Sequence, residues 1–409
     1  MSLFHFPSDV RYACQCCGAC CRDTWEIRVE PDAAERVLAA DWRSCCTIDS
    51  KEDSPFKLIK GNTSVLTFKR HDDACVFLGE GNRCRMHERF GIEIKPFVCQ
   101  RFPYRFVETP GGVYVGMSFA CPSVLQGEGP LVADAPAEAE RIHAINQTEH
   151  LHVNEPIQLD KTLNLSWDEY QQIEQTLDAI FSHEEYSVAH CLIAGHAWLS
   201  MLRRLMRQAG PTALPFFIKQ TTDENFARVF KIAQRPVAHG ALKRMLLGSF
   251  LSFRNTLRPG QSRLFLIPRL TFANLRHWCR WGSVPLEPLD KCVSYKNFAP
   301  SHELLEDAET QSILRRYYRH ALFRKELVQG TDLFWGYCYL VLVHGLIEYY
   351  AAGLKAAGEE NPARAIQVVE KYFVHHSTFG RTFLYHPAML LIFQRVFDRP
   401  NFAHTIVLG

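Results

Sequence analysis

Eleven of the fifteen cysteines in this 409-residue chain lie between Cys14 and Cys121, and this crowding limits what the N-terminal third can fold into. The other four, Cys191, Cys279, Cys292 and Cys338, are scattered singly. A disulfide scaffold is usually small and secreted, whereas clustered cysteines inside cells more often hold metal or do redox chemistry. Three adjacent pairs, Cys16-Cys17, Cys20-Cys21 and Cys45-Cys46, also suit disulfides poorly, because chain neighbours rarely reach the required geometry. No thioredoxin-like C-x-x-C on a βαβ unit is evident, which weakens thiol–disulfide exchange as a role.

The densest motif is C-x-x-C-G-x-C-C, formed by Cys14, Cys17, Cys20 and Cys21. Two thiolates separated by two residues can turn around one ion, and Gly18 eases the tight knuckle. Adjacent Cys20 and Cys21 are expected to point in different directions. The pair then serves two centres, or supplies one ligand and one structural thiol. Downstream come Cys75, Cys84, Cys99 and Cys121. The expected metal ligands are these eight. Eight thiolates divide into two four-coordinate sites of zinc or of a 4Fe–4S cluster, and one site plus spare structural cysteines fits the count equally. Arg22, Arg83, Arg85, Arg89, Lys95, Arg101 and Arg105 bring positive charge close in sequence to such a negative centre. His71 and His87 are alternate ligands, and Cys16, Cys45 and Cys46 have no assigned role.

The remainder has a different character. With 47% hydrophobic and 22% charged residues, the chain can build two cores. Its net charge of +2 shows no large field of one sign that would argue for nucleic acid or an anionic membrane. The N-terminus lacks a basic stretch followed by an apolar run, so no secretory signal is visible. The longest apolar run, Leu333 to Ile347, contains His344 and precedes Glu348; it is short for a bilayer span of roughly 20 residues. We read it as a buried helix in a soluble, cytoplasmic protein with no membrane span.

Alternation predicts strands over 25–29 and 65–69, and a hairpin of 104–108 and 113–119 around Thr109-Pro110-Gly111-Gly112. Pro31 to Ala40 reads as a helix with proline in its first turn. Ser166-x-x-Glu169 is a capping box opening the helix WDEYQQIEQTLDAIF. Helical periodicity then covers 187–208, 222–234, 240–256, 302–326, 332–357, 362–374 and 386–397. The expected fold is α+β: a small cysteine-rich domain with short strands over 1–125, a connecting segment over 126–160, and a mostly α-helical domain over 161–409.

At its cysteines the chain resembles the YkgJ-type cysteine-cluster family, described as zinc- or iron-chelating. That pattern is C-x-x-C-x-x-C-C, C-x-[FY]-L, C-x-[IVM]-[YH] and C-x-x-[FY]-P, matched by Cys14 to Cys21, Cys75 to Leu78, Cys84 to His87 and Cys99 to Pro103. Lys95-Pro96 stands where the family often has Arg-Pro. A narrower resemblance is to FliB-like flagellin lysine-N-methylases, through Trp25-Glu26-Ile27, Gly91 and Phe119-Ala120-Cys121-Pro122. It implies a protein-lysine N-methyltransferase using S-adenosylmethionine on flagellin or another protein. The resemblance covers about the first 125 residues; Cys16, Cys45 and Cys46 depart from its pattern.

No Rossmann glycine motif, radical-SAM C-x-x-x-C-x-x-C triplet, P-loop, H-E-x-x-H or G-x-S-x-G occurs. His344 and Glu348, four apart, share a helix face. They read as a hydrogen-bonded core histidine and a helix-edge carboxylate. His190 and His196, six apart, do not share a face. His375-His376 sit beyond a predicted helix end, where they complement its dipole. The stripe Phe334, Trp335, Tyr337, Tyr339 reads as core packing.

Overall fold

A computed structural model describes residues 3–22, 27–48, 53–59, 65–145, 150–219, 223–235, 240–256, 266–286, 289, 291–375, 396–399 and 401–409. The fold is α+β, with short strands in the N-terminal region and a mostly helical C-terminal part. The chain divides into two compact units. A cysteine unit comprises His5–Phe106 and Val115–His150; a helical unit comprises Met1–Phe4, Val107–Tyr114 and Leu151–Gly409.

The N-terminal elements are β1 (Phe4–His5), α1 (Ala19–Arg22), β2 (Arg28–Val29), α2 (Pro31–Ala39), β3 (Phe56–Leu58), β4 (Leu66–Phe68), β5 (Arg70–His71), β6 (Ala74–Cys75), α3 (Arg85–Phe90), α4 (Phe97–Arg101), β7 (Tyr104–Thr109), β8 (Gly112–Met117), α5 (Pro122–Gln126) and α6 (Pro136–His143). Pro31 opens α2, where its missing N–H costs nothing. The helix buries Ala33 and Ala34, four and three positions before Val37, and Val37 itself, onto the sheet β2-β4-β3. Trp42, Cys45, Phe56, Phe68, Val76, Phe77, Met86 and Ile94 complete this small core. Of the strand expected over 25–29, positions 25 and 26 lie outside the described residues.

The sequence boundary at 125 does not coincide with the unit's end, because the next 25 residues fold back. Tyr12 N–H donates to the Pro130 carbonyl (3.0 Å), Val132 N–H to the Val10 carbonyl (3.0 Å), and α6 packs on α4.

The helical unit adds β9 (Leu151–His152), β10 (Ile157–Asp160), β11 (Leu163–Leu165), α7 (Trp167–Phe181), α8 (Val188–Ala209), α9 (Leu214–Lys219), α10 (Asp223–Ala233), α11 (Gly240–Thr256), α12 (Leu266–Cys279), β12 (Ser283–Leu286), β13 (Lys291–Ser294), α13 (Ala308–Phe323), α14 (Leu333–Ala356), α15 (Ala363–Val369) and a C-terminal α16 (Phe402–Val407). The capping box at Ser166 forms as expected. The apolar helix α14 is buried on nearly every side, and α8, α11, α15 and α16 pack around it. Among the described residues, no helix is long and apolar enough to cross a membrane. Gly195 of α8 admits the Tyr337 ring so closely that a Cβ there would lie 2.0 Å from its hydroxyl oxygen.

Two expected helices are interrupted. Over 302–326 a short 3-10 turn ends before Asp307, whose carboxylate caps α13 by accepting the Thr310 N–H at 2.9 Å. Over 362–374, α15 widens into a π turn at Glu370–His375. Most of the helix expected at 386–397, and His376, lie outside the described residues. The hairpin β10–β11 and helix α12 have no counterpart in the sequence reading. The first straddles the end of the expected connector at 160, turned by Asp160, whose Oδ1 accepts from both the N–H and hydroxyl of Thr162 at 2.8 Å.

Candidate metal centre

Each of the eight cysteines is placed by a short local device. The 14–22 loop turns through two left-handed residues, Cys16 (φ 51°) and Gly18 (φ 68°), into the single turn α1, where Cys21 and Arg22 N–H groups donate to the Gly18 carbonyl at 3.0 Å. Gly18 has a second reason to lack a side chain: a Cβ would stand 2.9 Å from the Asn82 Cβ. Cys75 ends a two-residue hairpin turned by Asp72 and Asp73, both left-handed, and pairs with Arg70 across it. Leu78 bridges to Cys84, which caps α3; Cys99 lies within α4; Cys121 caps α5.

Hydrogen bonds tie these pieces together. Arg22 Nη2 donates to Asn82 Oδ1 at 2.9 Å, and Arg70 Nη2 to the Arg22 carbonyl at 3.0 Å. α1 packs on β6. Ser123 Oγ donates to the Ala13 carbonyl at 2.6 Å, drawing the start of α5 to the residue before Cys14.

The thiols consequently sense one another. Cys21 is pushed up by its hydrogen bond to Cys20, by burial, and by the Cys20, Cys75 and Cys99 charges. Cys20 is pulled down to about 7, first by that shared hydrogen bond and, against burial, by Lys95. Burial pushes Cys75 up to about 12, with Cys84 and Cys20 adding to it and Arg70 opposing. Cys99 also rises by burial, with Cys75, Cys84 and Cys20 contributing and Lys95 opposing. Cys121 rises to about 11 through burial, Cys17 and Cys20, and Cys14 through burial, Cys16 and Cys20. Burial lowers the Lys95 ammonium, but Cys99, Cys84, Cys20 and Cys21 together hold it above its ordinary value.

These couplings form one network with two foci. Cys21, Cys84 and Cys99 act on Lys95, with Cys75 coupled to all three, while Cys14 and Cys121 act on Tyr12, whose hydroxyl burial also raises, with Cys17 coupled to Cys121; Cys20 acts on both Lys95 and Tyr12. The Cys20 Sγ lies 3.9 Å from that of Cys21. The expectation that adjacent cysteines diverge is thus corrected: on a single helical turn both side chains swing to one side. Among the described residues no three of the thiols lie within 4.8 Å of one another, so sharing one ion requires the side chains to draw inward. An all-sulfur donor set with an ammonium beside it suits a soft, thiophilic cation.

The remaining cysteines separate from this group. Cys45 is buried in the small apolar core, and Cys46 packs against it with its thiol toward the Arg43 and Ile48 carbonyls. Cys16 is coupled only through Cys14 among the interactions described. His71 is exposed and pairs with Asp72 at 3.3 Å; His87 lies near Lys95, and its pKa is lowered first by burial and then by that ammonium. Of the cations expected from sequence, Lys95 faces the thiols, whereas Arg89 pairs with Asp41 (3.1 Å), Arg83 with Glu88 (3.5 Å), and Arg101 stacks on Phe97. Arg70 and Tyr12 were missed. For Arg70 the signal was available, since Asp72-Asp73 between two extended pairs marks a hairpin that sets Arg70 opposite Cys75.

The histidine readings resolve as packing. His190 bonds Ser187 Oγ at 2.8 Å, and His196 is buried against Phe334 and Phe402. His344 is buried and bonded to Tyr318 at 3.1 Å, but Glu348 is no helix-edge carboxylate: it is fully buried and ion-paired with Lys243. No protein-family model, curated protein or solved structure matches this chain.

Proposed function

We propose that the cysteine unit binds metal through thiolates, as zinc, iron or an iron–sulfur cluster. The supporting observation is that the eight cysteines, drawn from five separate stretches of chain, are electrostatically coupled: ionisation of Cys14, Cys21, Cys75, Cys99 and Cys121 is opposed by the charges of other cysteines, Cys17, Cys20 and Cys84 among them. Thiolates crowded in this way are costly in the metal-free chain, and a bound cation removes that cost, so metal affinity and folding of this unit are coupled. The division into a set around Lys95 and a set near Tyr12 favours two centres of four thiolates each over a single centre with spare cysteines.

Anaerobic purification, elemental analysis and an absorption spectrum identify the metal, because zinc is colourless and an iron–sulfur cluster is brown. Cys99→Ala and Cys17→Ala test the site. Each is expected to remove about half of the bound metal, since each removes one ligand from a different set, while Cys279→Ala removes none. Full retention in both of the first two variants refutes the ligand assignment; complete loss in either one refutes the division into two.

The narrower reading, a protein-lysine N-methyltransferase acting on flagellin, rests on the resemblance of the first third of the chain. Its test is methyl transfer from S-adenosylmethionine to a flagellin lysine, and failure to bind that donor counts against it.

A further inference from the structure

The near-zero net charge of the whole chain conceals a strong local asymmetry. Residues 225–286 contain eleven Lys or Arg and no Asp or Glu, while the rest of the chain carries 35 basic and 44 acidic residues. One of the eleven, Lys243, is spent inside the protein on Glu348. Arg276 and Arg280 are held by the neutral carbonyls of Ser283, Tyr295 and Phe298, which leave their charge in place.

Helix α12 lies in this stretch, and its outer face is apolar. Phe272 (53% exposed), Leu275 (53%) and Trp278 (60%) follow one another at three-residue spacing, and Trp281 (64%) stands just beyond the helix end. Arg280 adopts a left-handed conformation (φ 51°), and the Trp281 N–H donates to the Arg276 carbonyl at 3.1 Å. That turn folds Trp281 back until its ring lies 6.3 Å from Phe272. The opposite face is anchored: His277 is buried and accepts or shares a hydrogen bond with Tyr295 Oη at 2.7 Å. Nine large apolar side chains are exposed among the described residues, and four of them are these. Monomeric proteins rarely leave such a cluster to water without a use for it.

We propose that this face of α12 docks on an anionic lipid surface, with Phe272, Leu275, Trp278 and Trp281 entering the interface and the acid-free basic segment supplying the attraction. An exposed ridge of aromatic and aliphatic side chains within an acid-free, Arg- and Lys-rich segment is the composition of interfacial, not spanning, helices. A second copy of the chain is disfavoured as occupant, because a two-fold contact here would bring two basic segments together without a carboxylate in either. A nucleic acid is disfavoured because Leu275, at the centre of the ridge, offers no ring for a base to stack on. This proposal is independent of the metal reading.

The test uses the full-length protein and sedimentation with vesicles of phosphatidylcholine, alone or mixed with phosphatidylglycerol. Binding to the anionic vesicles is expected to be at least about tenfold tighter and to weaken with salt. Trp278→Ser combined with Trp281→Ser is expected to lose binding by about tenfold or more at an unchanged unfolding midpoint, since both rings are exposed. In the unaltered protein, tryptophan emission shifts to the blue on anionic vesicles only. Equal binding to both vesicle types, no binding to either, or an unchanged emission spectrum overturns the proposal. So does a dimer or an oligonucleotide complex that the double variant abolishes.

Discussion

Glu348→Gln isolates a buried electrostatic conflict in the helical unit. Glu348 is fully buried on α14, with Lys243 of α11 on one carboxylate oxygen and His344 Nε2 3.5 Å from the other. At contact distance, with an effective dielectric constant of about 20, the ion pair gains roughly 5 kcal/mol. Burying the two ions costs several kcal/mol each. Burial wins: it raises the Glu348 carboxyl from 4.5 to about 7 despite Lys243. For an acid whose folded pKa is raised, the folded state holds the proton more tightly. Stability from this group is therefore complete below about pH 4.5 and is lost as pH rises through about 7. The loss amounts to about 3 kcal/mol, or a melting temperature lower by about 10 °C for a unit of this size. Glutamine mimics the protonated carboxyl at every pH. Buried His196, His277 and His344, which burial holds neutral at about 4, 4 and 3, contribute the opposite slope in both proteins. The readout is thus the difference between two unfolding profiles from pH 5 to pH 8. The glutamine variant should be the more stable by about 1 kcal/mol or less at pH 5 and by about 3 kcal/mol at pH 8. A variant destabilised more at pH 8 than at pH 5 would show that attraction to Lys243, not burial, governs this site, and would refute the reasoning.

Lys95→Met removes the one cation that four thiols hold in common; metal affinity should fall about 10–100-fold, measured by competition with a chelator, with little change in secondary structure. Cys45→Ser puts a hydroxyl into an apolar core and should destabilise the cysteine unit by about 1–3 kcal/mol, while metal bound per folded chain stays the same. Lys325 is fully buried, salt-bridged to Glu174 at 2.5 Å and stacked on the Tyr114 ring at 3.7 Å. Lys325→Met leaves Glu174 without its cation and should cost about 3–5 kcal/mol in denaturant unfolding, with metal content unaffected.

Where local chemistry decides a feature, sequence reading and structure agree closely. The capping box at Ser166, Pro31 at the head of α2, and the all-round apolarity of α14 act within a turn or two of helix, so their consequences are visible from neighbouring residues. The same applies to the knuckle at Gly18. Misreadings arise where a competing local signal or a distant partner prevails. Asp307 stops one helix and starts another inside a continuous periodic pattern. The strands of β10–β11 are four and three residues long, and their period of two is too brief to stand out. Glu348 looked like an edge residue because its partner Lys243 lies 105 positions away.

The amino-acid sequence by itself determined that thiols dominate the first 125 residues and that a helical unit follows, because composition and short-range periodicity need no partner to be seen. Which sulfurs meet, that Lys95 and Tyr12 stand among them, that Cys45 belongs to the core, and that α12 turns an aromatic face to water were decided only by tertiary packing. The physical reason is one of range: electrostatic coupling and burial depend on distance through space, and chain position constrains that distance only over a few residues.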